Sequence, residues 1–141
     1  MAIEVRRVIT ATEREAAFAI RRRVFIDEQK VPADEEYDAE DDAAVHVLAL
    51  VDGAPAGTGR LLLYDGWGRI GRMAVELAHR RSGVGRAILA ELIRVAEDLG
   101  IHELQLHAQT HALPFYEASG FVAFGVEFEE AGIPHRRMRR G

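Results

Sequence analysis

The chain has 141 residues, 48% of them hydrophobic and 29% charged, which is the size of one domain and the balance of a globular protein rather than a disordered one. Its formal net charge of −5 gives no overall footprint for nucleic acid, and the absence of cysteine excludes disulfide frameworks, thiolate metal sites and a cysteine nucleophile. No apolar run approaches the roughly 20 residues of a membrane span, and Met1 to Glu4 show neither a basic nor an apolar leader, so no membrane partner or export is expected and the cytoplasm is the expected compartment.

Ile3, Val5 and Val8 form a short opening strand, after which Thr10 or Thr12 can cap a helix with Glu13 and Glu15 in its first turn. Ala16, Ala17, Ile20, Val24 and Phe25 continue that helix at helical spacing, and Pro32 ends the region. From Asp34 to Asp42 seven of nine residues are carboxylates; the stretch reads as an exposed loop or short helix without an apolar face. It is either a solvated loop or a negative funnel that steers a cationic amine.

Val45 to Val51, Ala56 to Tyr64 and Arg69 to Val75 read as three antiparallel strands joined by the Asp52-Gly53 and Asp65-Gly66 turns. Val84, Ile88, Leu92, Val95 and Leu99 then recur at helical spacing up to Gly100, where a C-terminal cap belongs. Leu104, Leu106 and Ala108 alternate as a strand, Ala112 to Ser119 is a short helix with Pro114 in its first turn, and Phe121 to Phe128 and Ile133 to Met138 are two further strands around Glu130-Ala131-Gly132. The order predicts one mixed α/β sheet covered by helices, in a single domain spanning residues 1–141.

Arg80-Arg81-Ser82-Gly83-Val84-Gly85 stands between a strand and the start of the long helix. A helix N-terminus offers unpaired N–H groups and partial positive charge, and glycines let a phosphate approach them. Arg80, Arg81 and Arg86 add charge-assisted donors around the same turn. The segment has neither the Gly-Lys-Ser/Thr of a triphosphate loop nor the glycine and acidic spacing of a dinucleotide fold, which leaves coenzyme A as the diphosphate ligand.

This Arg-x-x-Gly-x-Gly pattern resembles the phosphate-binding signature of the GNAT N-acetyltransferase superfamily. Gln109 to Phe121 is similar to the family's Asn-x-x-Ala-x-x-Phe-Tyr-x-x-x-Gly-Phe segment, with Gln109 in place of Asn. Phe25 to Pro32, His107-Ala108-Gln109 and Gly132-Ile133-Pro134-His135 resemble runs of the ElaA/YjcF-like branch. The resemblance implies a mostly antiparallel twisted sheet of about seven strands, splayed at a cofactor cleft and flanked by about four helices. It implies that Met73, Ala74 and Val75 present backbone groups to the pantetheine arm of acetyl-coenzyme A. It also implies that Arg80, Arg81, Ser82, Gly83, Val84, Gly85 and Arg86 hold the pyrophosphate, with Gln109 and Phe115 completing the cofactor site.

Tyr116 is the implied general acid. An amine attacking a thioester gives an oxyanion that collapses by expelling a thiolate, and a phenol of pKa about 10 can protonate a thiolate whose thiol lies near about 8.5. A backbone N–H at the end of the Arg69 to Val75 strand is the expected oxyanion donor. The carboxylate that many family members carry in that strand is missing, since Gly71 and Arg72 stand there. The base and acceptor-side candidates are Glu28, His107, His111 and Glu127. No metal is expected, because His107 and His111 bracket a strand end rather than sharing a helix face.

The expected activity is transfer of an acetyl group to the primary amine of a small molecule, directly within a ternary complex. The alternative is a protein that senses acetyl-coenzyme A without transferring it. Exposed sheet edges make a homodimer a further expectation.

Overall fold

The computed structural model describes residues 1–141 and contains a seven-stranded sheet in the order β1-β2-β3-β4-β5-β7-β6. The strands are β1 (Ile3–Arg7), β2 (Val45–Val51), β3 (Ala54–Leu63), β4 (Trp67–Val75), β5 (Glu103–Gln109), β6 (Val122–Glu130) and β7 (Ile133–Arg140). Every neighbouring pair is antiparallel except β4 and β5. The helices are α1 (Ala11–Arg21), α2 (Ala33–Glu36), α3 (Val84–Asp98) and α4 (Leu113–Glu117). This is the expected mixed α/β architecture, and no helix is long and apolar enough to cross a membrane.

Local chemistry accounts for most element boundaries. Thr10, not Thr12, caps α1: its hydroxyl accepts from Glu13 N–H at 3.1 Å while the Glu13 carboxylate accepts from Thr10 N–H at 2.9 Å, a reciprocal capping box. Beyond Arg21 the helix widens into a π-helical stretch, Arg22–Glu28, instead of continuing as α-helix. α3 lies close over the sheet because β3 is glycine-rich beneath it. A Cβ on Gly57 would fall 2.8 Å from Ile88 Cδ1, and one on Gly59 would fall 2.8 Å from Ile88 Cγ2. On this face Ile88, Leu89 and Leu92 pack against Val47, Ala49 and Leu61, and on the other Ala17, Ile20 and Val24 pack against Leu48, Leu50 and Ala74.

The acidic stretch departs from expectation. It does not lie wholly in solvent, since Glu36 and Asp41 are only 2% and 4% exposed. They meet Arg21, itself 1% exposed, which donates to Glu36 Oε1 at 2.7 Å and to Asp41 Oδ1 at 2.8 Å. Arg60 donates to Asp41 Oδ1 and Asp38 Oδ1, both at 2.9 Å, and Arg72 donates to Asp38 Oδ2 at 3.2 Å. A carboxylate run without apolar spacing looks solvated in sequence; here arginines distant in the chain draw part of it inside.

Burial pushes the Asp41 carboxyl up, but hydrogen bonds from Arg21 and Arg60 outweigh it and hold the group well below the usual aspartate range. Its contribution to stability is therefore complete above the unfolded aspartate pKa of about 3.9 and is lost as pH falls below that value toward the folded one. Asp41→Asn, which leaves two buried guanidiniums short of charge, is expected to cost about 3–5 kcal/mol in urea unfolding at neutral pH. The same unfolding series repeated between neutral and acid pH should show the variant losing less stability on acidification than the parent.

Candidate active site

Parallel pairing between β4 and β5 covers only Trp67 to Ile70 against Glu103 to Leu106. Past these residues the strands part. β4 continues to Val75 paired with β3 alone, and β5 continues to Gln109 paired with β7 alone. A bulge sharpens the separation, because Arg72 and Met73 together oppose the single residue Gly59, and Arg72 takes a left-handed φ of +51°. The Arg72 guanidinium anchors this conformation by donating to the carbonyls of Glu36 at 3.1 Å and Glu35 at 3.3 Å. The opening is a cleft of about 330 Å³ bordered by Phe25, Gln29, Met73, His107 and Tyr116.

The turn before α3 stands at one end of this cleft. Gly83 occupies the N-cap with φ +91° and no side-chain cap, so the first-turn N–H groups of α3 have no acceptor from a capping side chain. A second cavity there is lined by Val75, Arg81, Gly83, Gly85, Arg86 and Phe115, among others. Val84 is 1% exposed, packs in the core and does not line this cavity. The Phe115 ring lies 3.5 Å from where a Gly85 Cβ would stand. Ser82 Oγ donates to the His79 carbonyl and closes the turn on itself.

Arg80 is committed elsewhere. Its Nε donates to the Val75 carbonyl at 2.9 Å, and its two terminal nitrogens grip both Glu28 oxygens at 2.6 Å. The charge that the sequence suggested for the turn is thus neutralised, leaving Arg81 and Arg86 as its exposed cations. The same pair ties Glu28, an acceptor-side candidate, to Arg80. Arg80 holds its carboxyl below the usual glutamate range, and it does not line the cleft.

Met73, Ala74 and Val75 border the cleft along the edge of β4, with the Ala74 side chain only 2% exposed. Tyr116 reaches in from α4, its ring against Phe115 and Phe121 at centroid distances of 5.0 and 6.2 Å. Its hydroxyl finds only the weak acceptor Met73 Sδ at 3.8 Å, and loss of solvation pushes its pKa up to about 12. Gln109 donates to Gln29 Oε1 at 3.2 Å and shares a 2.7 Å contact with His111 Nε2, so these three side chains close the end of β5.

His107 is the first β5 residue past the parting of the strands, and Glu127 does not join it. The β6 ladder is irregular between Phe124 and Phe128, where Gly125 has φ +74°. From there alternation turns Phe128 and Glu130 toward the cleft and Glu127 and Glu129 to solvent. Glu130 Oε1 stands 2.9 Å from His107 Nδ1, and this imidazole holds the Glu130 carboxyl below its usual range. Arg69, also absent from the sequence candidates, places Nη2 3.0 Å from the same Nδ1. Period-two spacing was the available signal for both: Arg69 from Gly71 in β4, and Glu130 from Phe124 and Phe128 in β6.

The sequence family described as an acetyltransferase (GNAT) domain matches residues 8–140. The Bacillus subtilis protein named uncharacterized N-acetyltransferase YjcF is 41% identical over 125 residues, covering 88% of this chain and 89% of that protein. A solved acyl-CoA N-acyltransferase from Pseudomonas aeruginosa superposes with a TM-score of 0.89 at 31% identity, covering 99% of this chain and all of the other. Escherichia coli ElaA superposes with a TM-score of 0.88 at 26% identity, over 99% of this chain and 100% of ElaA.

Because Gly83 holds φ +91°, a side chain there strains the turn. Gly83→Ala is expected to lower stability by about 1–2 kcal/mol in urea unfolding, and Gly83→Asn by less, since asparagine tolerates the left-handed region better.

Proposed function

The chain belongs to the GNAT acetyltransferase family, in its ElaA/YjcF-like branch, and is an acetyltransferase; from that premise we propose that it moves an acetyl group from acetyl-coenzyme A to the primary amine of a small molecule. The observation that carries this reading is the parting of β4 from β5, which puts a free strand edge and the Tyr116 hydroxyl around one cleft and an uncapped helix start on a second cavity that shares Val75 and Arg80 with it.

The residues present suit such a donor. The first turn of α3 has no capping side chain, Gly83, Gly85 and Arg86 border the second cavity, and exposed Arg81 and Arg86 supply charge that Arg80 commits to Glu28. Such an array suits a pyrophosphate. The unpaired edge of Met73 to Val75 suits the amide groups of a pantetheine arm, and one N–H of that edge would stabilise the oxyanion. Acetyl-coenzyme A supplies an activated acyl group and a thiolate leaving group.

Tyr116 then acts as the acid. A hydroxyl held near pKa about 12 keeps its proton through the neutral range, which is the state a proton donor must start from. For the amine proton, His107 Nε2 is an imidazole nitrogen in the same cleft with no hydrogen-bond partner in the protein. His111 is tied to Gln109 and Glu127 faces solvent, so neither shares that position.

Tyr116→Phe is expected to lower turnover by about 100-fold or more, with affinity for acetyl-coenzyme A by calorimetry within about twofold of the parent. Unchanged turnover would remove Tyr116 from the mechanism. Gly83→Glu, which sets a carboxylate among the amides, should abolish the calorimetric signal.

A further inference from the structure

Three arginines and three carboxylates of the buried network balance one another: Arg21, Arg60 and Arg72 against Glu36, Asp38 and Asp41. Arg69 borders the same cleft and belongs to no ion pair. Its one side-chain hydrogen bond goes to His107 Nδ1 at 3.0 Å, and that nitrogen also lies 2.9 Å from Glu130 Oε1. The two contacts compete. A ring nitrogen either bears a hydrogen, which Glu130 can accept, or a lone pair, to which Arg69 can donate.

The choice determines what the other nitrogen can do. With Arg69 donating to Nδ1, the neutral ring carries its hydrogen on Nε2 and has no lone pair there for a proton. With Nδ1–H donating to Glu130, Nε2 carries the lone pair and can serve as a base. Whenever Arg69 holds Nδ1, His107 cannot act, so a group that draws Arg69 away favours the basic tautomer, and a planar guanidinium fork is drawn most strongly by an oxyanion. At the outer mouth of the cleft stand Glu35 and Glu40, both exposed carboxylates. They disfavour a ligand that is only anionic and favour one that also carries an ammonium group.

We propose that the acceptor is an amine bearing an anionic group, a carboxylate or a phosphate ester, which takes the Arg69 guanidinium and so releases His107 Nδ1 to Glu130 and frees Nε2 as base. Its catalytic consequence rests on the acetyl transfer described above; its binding consequence does not. In the transfer the amine nitrogen bonds to the acetyl carbon and the carbon–sulfur bond breaks. The amine proton passes to His107 Nε2, the thiolate takes the Tyr116 proton, and exchange with water restores both side chains. Arg69 holds the substrate, and Glu130 is a positioning residue acting through His107.

The first test needs no acyl donor. Nitrogen-15 NMR of the histidine rings, recorded with propionate or with methyl phosphate added, should show the His107 hydrogen move from Nε2 to Nδ1; the two anions separate the carboxylate from the phosphate source. Arg69→Gln should abolish the response to either anion, and Glu130→Gln should leave Nδ1 without its carboxylate acceptor and weaken it. An unchanged tautomer in the parent protein overturns the proposal, even if the enzyme acetylates amines. A tautomer shift in a protein that transfers acetyl to nothing upholds anion docking while refuting the transfer reading.

The second test compares matched acceptors, β-alanine with β-alaninamide and aminoethyl phosphate with ethanolamine, by release of free thiol. The anionic member of one pair should show kcat/KM higher by about tenfold or more, and Arg69→Gln should bring that ratio close to one. Preference for the uncharged member, or a ratio that survives Arg69→Gln, overturns the proposal. If neither pair is acetylated, the tautomer response decides.

Discussion

Parallel pairing of β4 with β5 through Ile70 and Leu106, and no further, is the constraint on which the site depends. Within a continuous sheet the backbone groups of Gly71 to Val75 would find partners on both sides. Here one side is open, and backbone polar groups away from solvent must be satisfied by something. Arg80 Nε meets the last of these carbonyls, that of Val75, and thereby ties the end of the strand to the turn that starts α3. The strand edge and the helix start are one mechanical unit, so a ligand that touches either is positioned relative to both.

The walls of the opening are fixed by different means. On the β5 side the strand is held by β7 over six residue pairs, from Leu104 with Arg140 to Gln109 with His135. On the β4 side the bulge at Arg72 would relax if its guanidinium lacked the carbonyls of α2, and α2 in turn is held by the contact of Glu36 with Arg21. Buried ion pairs are poor sources of net stability, because desolvation offsets most of the attraction. Glu36 Oε2 and Arg60 Nε are even buried without partners. What this network does is tie the bulge of β4 to the carbonyls of α2, a directional hold that a hydrophobic replacement of equal volume would lack.

Features governed by neighbours in the chain were legible in the sequence. The capping box of Thr10 and Glu13, the Asp52-Gly53 turn and the apolar stripe of α3 each follow from residues within a few positions. The turn at Gly83 was legible for the same reason, whereas Tyr116 was singled out only by the resemblance of Gln109 to Phe121 to a family segment. What escaped was set by contacts between residues twenty or more positions apart. Arg21 reaches Asp41 and Arg80 reaches Glu28 through the fold alone, so a run of carboxylates could not reveal which members are buried or paired. Glu130 was missed for a simpler reason: it shares a face with Phe124 and Phe128, an even number of residues apart, but the sequence reading ended that strand at Phe128 and left Glu130 to the turn.

The missing strand carboxylate also has a physical account. It would stand at Gly71 or Arg72, and Arg72 cannot be exchanged for an acid without losing the donors that anchor the bulge to Glu35 and Glu36. An acid at that site would also face Asp38 and Glu36, both within 3.5 Å of the present guanidinium, and like charges at such separation resist ionising together. An imidazole stands instead on the facing strand, where His107 contacts Glu130 and neither joins the ion pairs of Arg21, Arg60 and Arg72. In this arrangement the bulge with its open edge lies on β4 and the imidazole lies on β5, so the two walls of the cleft present different chemistry.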